Sequence, residues 1–504
     1  MEPDMSNGKE APASEPSRIL LPRFDTLGDL VLLEGFLEAL IGRFPRAHIT
    51  LMVRRAFCDL AGLFPDSLEW LPVDIDPHSI SPEVPLARTI AGNLGNEPWD
   101  LILVTAHNRT WADDLVAAAM PNARRLALGV WEEMPENFKK VLAELALRAD
   151  CPYDRLIDVD DRSHETEKYQ ALWNALDGSD ILPEPVLRVS EYQHEAARQI
   201  LDAAGLQSKR FFIGCPAGTQ KVAIKAWPPE HYAEAIAWIE SRYAQPCLLI
   251  GHQSEVETVR RVAGLAEDRG AHPRIWLGRD GEIPLLAALL ASASFYLGND
   301  TGPMHMAAAV NIPVIAIFGG GTWPRFLPRG SRSTAIAGDM PCFGCNWSCL
   351  FGDAPCMRLV TIEDVKHAIR DLLEAAAAPG FRYLRASNRL SAETAAYIEK
   401  AIKIFQAIND DRRKRLDANL RAEKLLRESE LDRAARLVEI ERLGKLLAES
   451  EADRAARLVE MERLGKLLAE SEAGRAECLA WTRRLEKVKN TALVKSLIKL
   501  KLIR

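Results

Sequence analysis

The strongest constraint in this sequence is an alternation, carried through two successive series, of short apolar runs with amphipathic stretches. The second series is the cleaner. It opens at Phe211-Phe212-Ile213-Gly214 and continues through apolar runs at 247–250, 274–277, 294–297 and 313–318, with helical periodicity at about 229–243, 254–268 and 283–291. The first covers residues 18–190, with runs at 19–21, 48–53 and 101–104 and a helical stretch at 30–43. Parallel strands need a crossover long enough to return the chain to the same sheet edge, and a helix supplies it. The alternation therefore predicts βαβ units, and two doubly wound α/β domains in tandem. Ligands of such folds bind beyond the carboxyl ends of the strands, and with two domains the site falls in the cleft between them.

Five turns and loops at those carboxyl ends carry candidate chemistry. Leu297-Gly298-Asn299-Asp300-Thr301-Gly302-Pro303-Met304-His305 reads as a strand end, a tight turn and the first turn of a helix. Asn, Asp and Thr cap helices, and Pro suits the first turn because it has no N–H to lose. The helix's free N–H groups and positive dipole end then face the space above the strand, where an anion such as a pyrophosphate binds; a well-capped helix start is the structural alternative. After the first strand comes Arg23-Phe24-Asp25-Thr26-Leu27-Gly28-Asp29. Asp29 is expected in a first helical turn on dipole grounds, and a carboxylate there also serves as a general base for a substrate hydroxyl. Lys221 and Lys225 follow the glycine-containing loop Cys215-Pro216-Ala217-Gly218-Thr219 and can neutralise a diphosphate, or remain solvated. In Gly251-His252-Gln253-Ser254-Glu255, Ser254 is placed to cap a helix, and Glu255 serves either that helix start or ribose hydroxyls. Gly319-Gly320-Gly321 reads as a flexible loop whose backbone approaches a ligand closely.

Taken in order, these turns resemble glycosyltransferase family 9, the ADP-heptose:lipopolysaccharide heptosyltransferases, over residues 19–369. The most specific match is to the family's D-T-G-x-x-H signature, Asp300-Thr301-Gly302-Pro303-Met304-His305. Leu27-Gly28-Asp29 is similar to its G-D motif and Lys225-Ala226-Trp227-Pro228 to its K-x-W-P motif. The resemblance implies an α/β GT-B fold of two Rossmann-like domains facing a cleft, the acceptor domain at 18–190 and the nucleotide-sugar domain at 191–380. It implies transfer without metal or other cofactor, from a nucleotide-sugar donor such as ADP-heptose to a lipid-linked or glycan acceptor. Asp29 would be the base; Thr219, Lys225, Glu255, Asp300, Thr301, Gly302 and His305 would bind the donor. The chain departs from the family in a stretched segment between Thr219 and Lys225, and in Asp25, a second acid ahead of Asp29.

Other features bound the setting. A chain of 504 residues, 48% hydrophobic, has the material for two cores and an appendage, and a net charge of -7 gives no reason to expect nucleic acid as partner. Residues 1–17 lack the basic start and apolar core of a secretion signal and read as a disordered leader. Nine scattered cysteines do not form a secreted disulfide framework, which points to the cytoplasm. Four of them, Cys342, Cys345, Cys349 and Cys356, are clustered; the Cys-x2-Cys start fits zinc, whereas the wide last spacing fits reduced thiols.

Beyond residue 380 the sequence reads as a charged helical extension to 486. Residues 431–451 are repeated at 452–472 with changes only at Leu431/Ala452 and Ile440/Met461, a period of three heptads. This predicts a coiled coil and self-association through 425–486, with a solvated single helix as the alternative. At 487–504 lysines alternate with branched apolar residues. The stretch 491–504 would lie on an anionic membrane surface, at the inner face of the cytoplasmic membrane, or pack on a neighbouring element. The function expected is sugar transfer to a lipopolysaccharide core or other surface glycan. The alternative is a non-catalytic GT-B scaffold that self-associates through its coiled coil.

Overall fold

Each apolar run of the first series becomes a strand of one parallel sheet. The computed structural model describes residues 15–78, 80–95, 98–218, 220–375, 379–449, 463–473, 475–477 and 479–480. In chain order the first domain comprises β1 (Arg18–Arg23), α1 (Leu27–Arg43), β2 (His48–Arg54), β3 (Leu68–Val73), α2 (Val84–Asn93), β4 (Leu101–Val104), α3 (Trp111–Ala119), β5 (Arg124–Leu128), α4 (Glu136–Glu144), β6 (Arg155–Ile157) and α5 (Glu165–Ala175). Its strand order is β3-β2-β1-β4-β5-β6. The chain builds outward from β1 in one direction and then from β4 in the other, so the crevice at the switch lies between the ends of β1 and β4.

The second domain repeats the plan with α6 (Glu191–Ala203), β7 (Phe212–Cys215), α7 (Pro229–Tyr243), β8 (Cys247–His252), α8 (Val256–Glu267), β9 (Arg274–Gly278), α9 (Ile283–Ser292), β10 (Tyr296–Asn299), α10 (Gly302–Ala309), β11 (Val314–Phe318), β12 (Arg332–Ala337), α11 (Pro355–Arg358), α12 (Ile362–Leu373) and β13 (Gly380–Arg385). The sheet runs β13-β12-β11-β10-β7-β8-β9, all parallel, with its switch between β7 and β10. Strand β13 begins where the sequence pattern suggested the domain ends. Phe-Arg-Tyr-Leu-Arg lacks a continuous apolar run because it is an edge strand with Phe381 and Tyr383 half exposed.

Helix α1 shows how local signals and burial combine. Thr26 is its N-cap and Asp29 completes a capping box, so orphan N–H groups are satisfied at the turn. Leu30, Val31, Leu33, Phe36, Leu37 and Leu40 are all buried. Each contributes roughly 1.5–3 kcal/mol relative to exposure, as an upper figure. One apolar core continues through α1, α9 and α10 from the first sheet to the second, and a smaller core covers the other face of the first sheet. Polar ties cross the same boundary: Ile283 N–H donates to Asp59 Oδ2 at 2.8 Å and Leu187 N–H to the Ala309 carbonyl at 3.1 Å.

The chain forms two compact units, Met1–Ile402 and Lys403–Arg504. Both sheets belong to the first. In the second, the described residues are helical, partly within α13 (Ala392–Glu449), and Ile404, Phe405, Leu437, Val438 and Leu468 are exposed. Much of the second repeat copy, the tail at 487–504 and residues 1–14 of the leader lie outside the described residues. No helix among the described residues is long and apolar enough to cross a membrane.

Candidate active site

The two switch points meet. A Cβ added at Gly28, in the first turn of α1, would stand 2.8 Å from His305 Cδ2 in the first turns of α10, and one at Gly302 would stand 2.9 Å from the Leu27 side chain. Two helix N-termini, one from each domain, are therefore in van der Waals contact through residues that only glycine permits. Their dipoles converge on one place.

On the first domain's side, the buried Arg23 at the end of β1 organises the carboxylates. Its guanidinium lies 2.9 Å from Asp25, 3.4 Å from Asp29 and 3.8 Å from Glu165, donates to Thr105 Oγ1 at 3.3 Å and faces the Tyr169 ring. Asp29 Oδ2 accepts from the N–H and hydroxyl of Thr26 at 3.1 and 2.7 Å. Burial, then repulsion from Asp25 and Glu165, raises the Asp29 pKa against the pull of Arg23. Burial would raise Asp25 too, but Arg23 and a 3.1 Å hydrogen bond with His78 Nε2 outweigh it and hold that carboxyl below its usual range. The environments thus push the two acids apart, and Asp29 is the one poised to hold a proton nearer neutrality. Arg23 lay in the sequence motif without a role; a charged residue closing an apolar strand is the signal that marks it.

On the second domain's side, Asn299, Asp300, Thr301 and His305 are all buried at the start of α10. Burial first, then His164 and Lys225, depresses His305 to a pKa of about 3, and its Nδ1 has no hydrogen-bond partner among the described residues. The ring is neutral, and its Nδ1 is a buried polar atom whose partner is missing among the described residues. Burial raises Asp300, opposed by Lys225 and by a 3.3 Å hydrogen bond from Thr322.

The K-x-W-P spacing also has a structural cause. Trp227 is buried, donates from its backbone N–H to Asn299 Oδ1 at 3.1 Å and from Nε1 to the Val360 carbonyl at 2.9 Å. Lys225, two residues earlier at the end of a kinked 3₁₀ segment (Gln220–Lys225), is carried on that anchor beside Asp300. Thr219 lies outside the described residues.

A cavity of about 310 Å³ opens at the carboxyl ends of β7, β8 and β9, walled by Ile250, Trp276, Leu286 and Pro303, with Glu255 and Asp280 at its polar side. Glu255 is already engaged: Oε1 accepts from Gly218 N–H at 2.7 Å and Oε2 from His252 N–H at 3.4 Å. His252, not Ser254, caps the short turn Gln253–Glu255 ahead of α8. A second cavity, about 520 Å³, lies beyond β4 and β5 in the first domain, lined by Asn108, Trp111, Asp114, Glu132 and Phe138 among others.

Between the domains, Glu165 on α5 pairs with Arg325 and Lys168, and His164 Nε2 donates to the Leu327 carbonyl at 2.9 Å while Nδ1 accepts from Thr166 N–H. Burial, then Arg329, lowers His164 from 6.5 to about 4. Folding is therefore favoured above pH 6.5, and that contribution drains as pH falls towards 4, where the unfolded chain binds a proton the native ring refuses. It amounts to ~3 kcal/mol. Denaturation midpoints should fall across that window, and His164→Gln should flatten part of the slope; an unchanged slope would show that His164 is not the group responsible.

Cys342, Cys345, Cys349 and Cys356 are free thiols. Burial, then its three neighbours, pushes Cys342 up to about 11. No group of three or more His, Cys, Asp or Glu among the described residues is arranged to hold a metal ion. Gly319–Gly321 is not the open loop expected from its composition, because aromatic side chains of the cysteine segment lie against it.

Two doubly wound parallel sheets with opposed switch points form an α/β fold of the GT-B type. Known structures agree: a family 9 glycosyl transferase from Veillonella parvula superposes with TM-score 0.55 at 18% identity, covering 71% of this chain and 98% of that one. The E. coli ADP-heptose LPS heptosyltransferase II gives 0.52 at 21%, covering 72% and 100%. The family model for glycosyltransferase family 9 (heptosyltransferase) matches residues 137–348. Lipopolysaccharide heptosyltransferase 2 of Salmonella typhimurium is 24% identical over 320 residues, 62% of this chain and 84% of that protein, and its Escherichia coli K12 counterpart 25% identical over 327. Over that matched region and along most of both domains the chain is similar to glycosyltransferase family 9.

Proposed function

We propose that this glycosyltransferase moves a heptose from a nucleoside-diphosphate donor, with ADP-heptose the first candidate, to a hydroxyl of a lipopolysaccharide core. The observation that carries the reading is the abutment of α1 and α10, which sets the Asp29 turn against the Asp300–His305 turn. The nucleoside enters the 310 Å³ cavity, whose mouth includes Pro303 of α10. The diphosphate then lies at the α10 N-terminus within reach of Lys225. The acceptor approaches from the first domain, where the larger cavity offers polar groups and an aromatic wall.

In the reaction, Asp29 takes the acceptor hydroxyl proton as that oxygen bonds to the anomeric carbon. The bond from that carbon to the phosphate oxygen breaks, and the nucleoside diphosphate leaves with the electron pair. Positive charge builds on the sugar ring and negative charge on the phosphate. The α10 N–H groups and Lys225 lower the cost of the second. Asp300 and neutral His305 serve donor hydroxyls or phosphate oxygens, and the proposed reaction belongs to the cytoplasmic side of the membrane.

A thermal-shift screen of nucleotide sugars tests this. A donor at 100 times its Kd adds about 2.7 kcal/mol to the folded state, a clear rise in Tm. ADP-heptose should give that rise and should label a heptose-deficient lipopolysaccharide acceptor. Stabilisation by a different nucleotide sugar would reassign the donor, and stabilisation by none would favour a non-catalytic scaffold.

A further inference from the structure

The cysteine-rich segment is built into the donor side of the cleft, and one aromatic residue in it faces the lysine assigned to the donor. Gly344 and Asn346 N–H groups donate to the Gly320 and Gly321 carbonyls at 2.7 and 2.8 Å, so the segment lies backbone to backbone on the loop that follows β11. Gly320 N–H in turn reaches Cys356 Sγ at 3.5 Å. A Cβ at Gly319 would stand 2.8 Å from the Trp347 ring and 2.8 Å from Met357 Sδ; one at Gly321 would overlap the Trp347 indole, and one at Gly320 the Phe343 ring. Three consecutive glycines are thus spaces filled by this segment.

The backbone at the indole is held in an unfavourable region. Asn346 and Trp347 are consecutive non-glycine residues at φ 48° and 61°, a conformation that non-glycine residues adopt rarely and that persists where the surroundings impose it. The outcome is that the Lys225 ammonium sits over the Trp347 ring, 5.7 Å from its centroid. Lys225 also acts electrostatically on Asp300 and His305 at the start of α10, so the ammonium held over the indole is felt in the turn assigned to the donor.

We propose that Trp347 is a positioning residue of the donor site: its indole face fixes the Lys225 ammonium where it meets the donor diphosphate, and Gly319–Gly321 exist to admit that ring. The inference rests on the assignment of Lys225 to the donor. A lysine on a flexible stem loses side-chain entropy when it pairs with a phosphate. A ring that already restrains the ammonium removes part of that loss before the ligand arrives. Trp offers the strongest such face.

The test is a double-mutant cycle on the full chain, with ADP binding measured by calorimetry and Tm recorded for every variant. A cation–π contact at a partly desolvated site corresponds to about 3- to 30-fold in affinity. Trp347→Leu should weaken ADP binding within that range, Trp347→Phe should keep most of it, and Trp347→Leu should add nothing once Lys225→Met is present. Kinetically the loss should appear in kcat/KM for the donor and vanish in the Lys225→Met background. Equal losses for Trp347→Leu in both backgrounds, or a Trp347→Leu variant that binds as wild type, would overturn the positioning role alone. If Lys225→Met binds ADP as well as wild type, the lysine itself leaves the donor site and the proposal falls with it. Should Trp347→Leu lower Tm sharply, Trp347→Phe and Trp347→Tyr carry the cycle, since both keep a ring over the ammonium.

Discussion

Replacing Asp29 with Asn should lower kcat by about 10²–10⁴ while the chain stays folded, because the amide preserves shape and cannot accept a proton. The structural losses are the capping box with Thr26, of order 1 kcal/mol, and the charge of the 3.4 Å pair with Arg23, to which the amide oxygen can still accept. The pH dependence separates this role from its alternative. A base must be unprotonated, so activity falls as pH drops through the Asp29 pKa, and burial together with Asp25 and Glu165 sets that acid limb above the ordinary carboxylate range. Asp25→Asn removes one of the repelling charges, so the limb should move to lower pH with most of the rate kept. Full transfer by Asp29→Asn, with the loss appearing in Asp25→Asn instead, would hand the proton to Asp25 and its partner His78.

The second large effect is on stability. Arg23→Met should cost ~3–5 kcal/mol, because it strips the shared cation from three buried or nearly buried carboxylates, Asp25, Asp29 and Glu165. This is a large fraction of the 5–15 kcal/mol that ordinary domains possess. The sign of its pH dependence is also set. In the native protein Arg23 keeps Asp25 below its unfolded value, so that contribution is present at neutral pH and lost as acid protonates the carboxyl. Without Arg23 the buried acids prefer to be protonated, so the deficit should shrink as pH falls from 7 to 5. Urea titrations at the two pH values measure it. A variant as stable as wild type would mean that the carboxylates are satisfied by other means.

Much of the fold could be read without coordinates. The strands at 48–53, 247–250 and 313–318 and the helices at 229–243 and 283–291 appear within a residue or two of where hydrophobic period and Gly/Pro punctuation put them. Those signals are local, and in a parallel sheet buried on both faces they are strong. Strand β13 escaped because an edge strand need not be apolar. The G-D and K-x-W-P motifs were visible as residues, but their purpose was not. Gly28 is small because of His305, 277 positions away, and Trp227 is an anchor because of Asn299 and Val360. Glu255 seemed open to a ribose, yet Gly218 and His252 hold both its oxygens.

What the sequence determined by itself is the set of parts: two βαβ series, helix starts around Asp29 and Asn299–Thr301, and a family motif in the right order. These depend on interactions reaching three or four residues along the chain, which a linear pattern records. Tertiary structure alone decided which parts meet and in what electrical state. It put Asp29 and Asp25 on opposite sides of their usual pKa around one buried arginine, left His305 neutral with a buried nitrogen whose partner is missing among the described residues, and turned a glycine triplet from an open loop into the seat of Trp347. Burial and charge at a point sum over every neighbour in space, and most of those neighbours are distant in the chain.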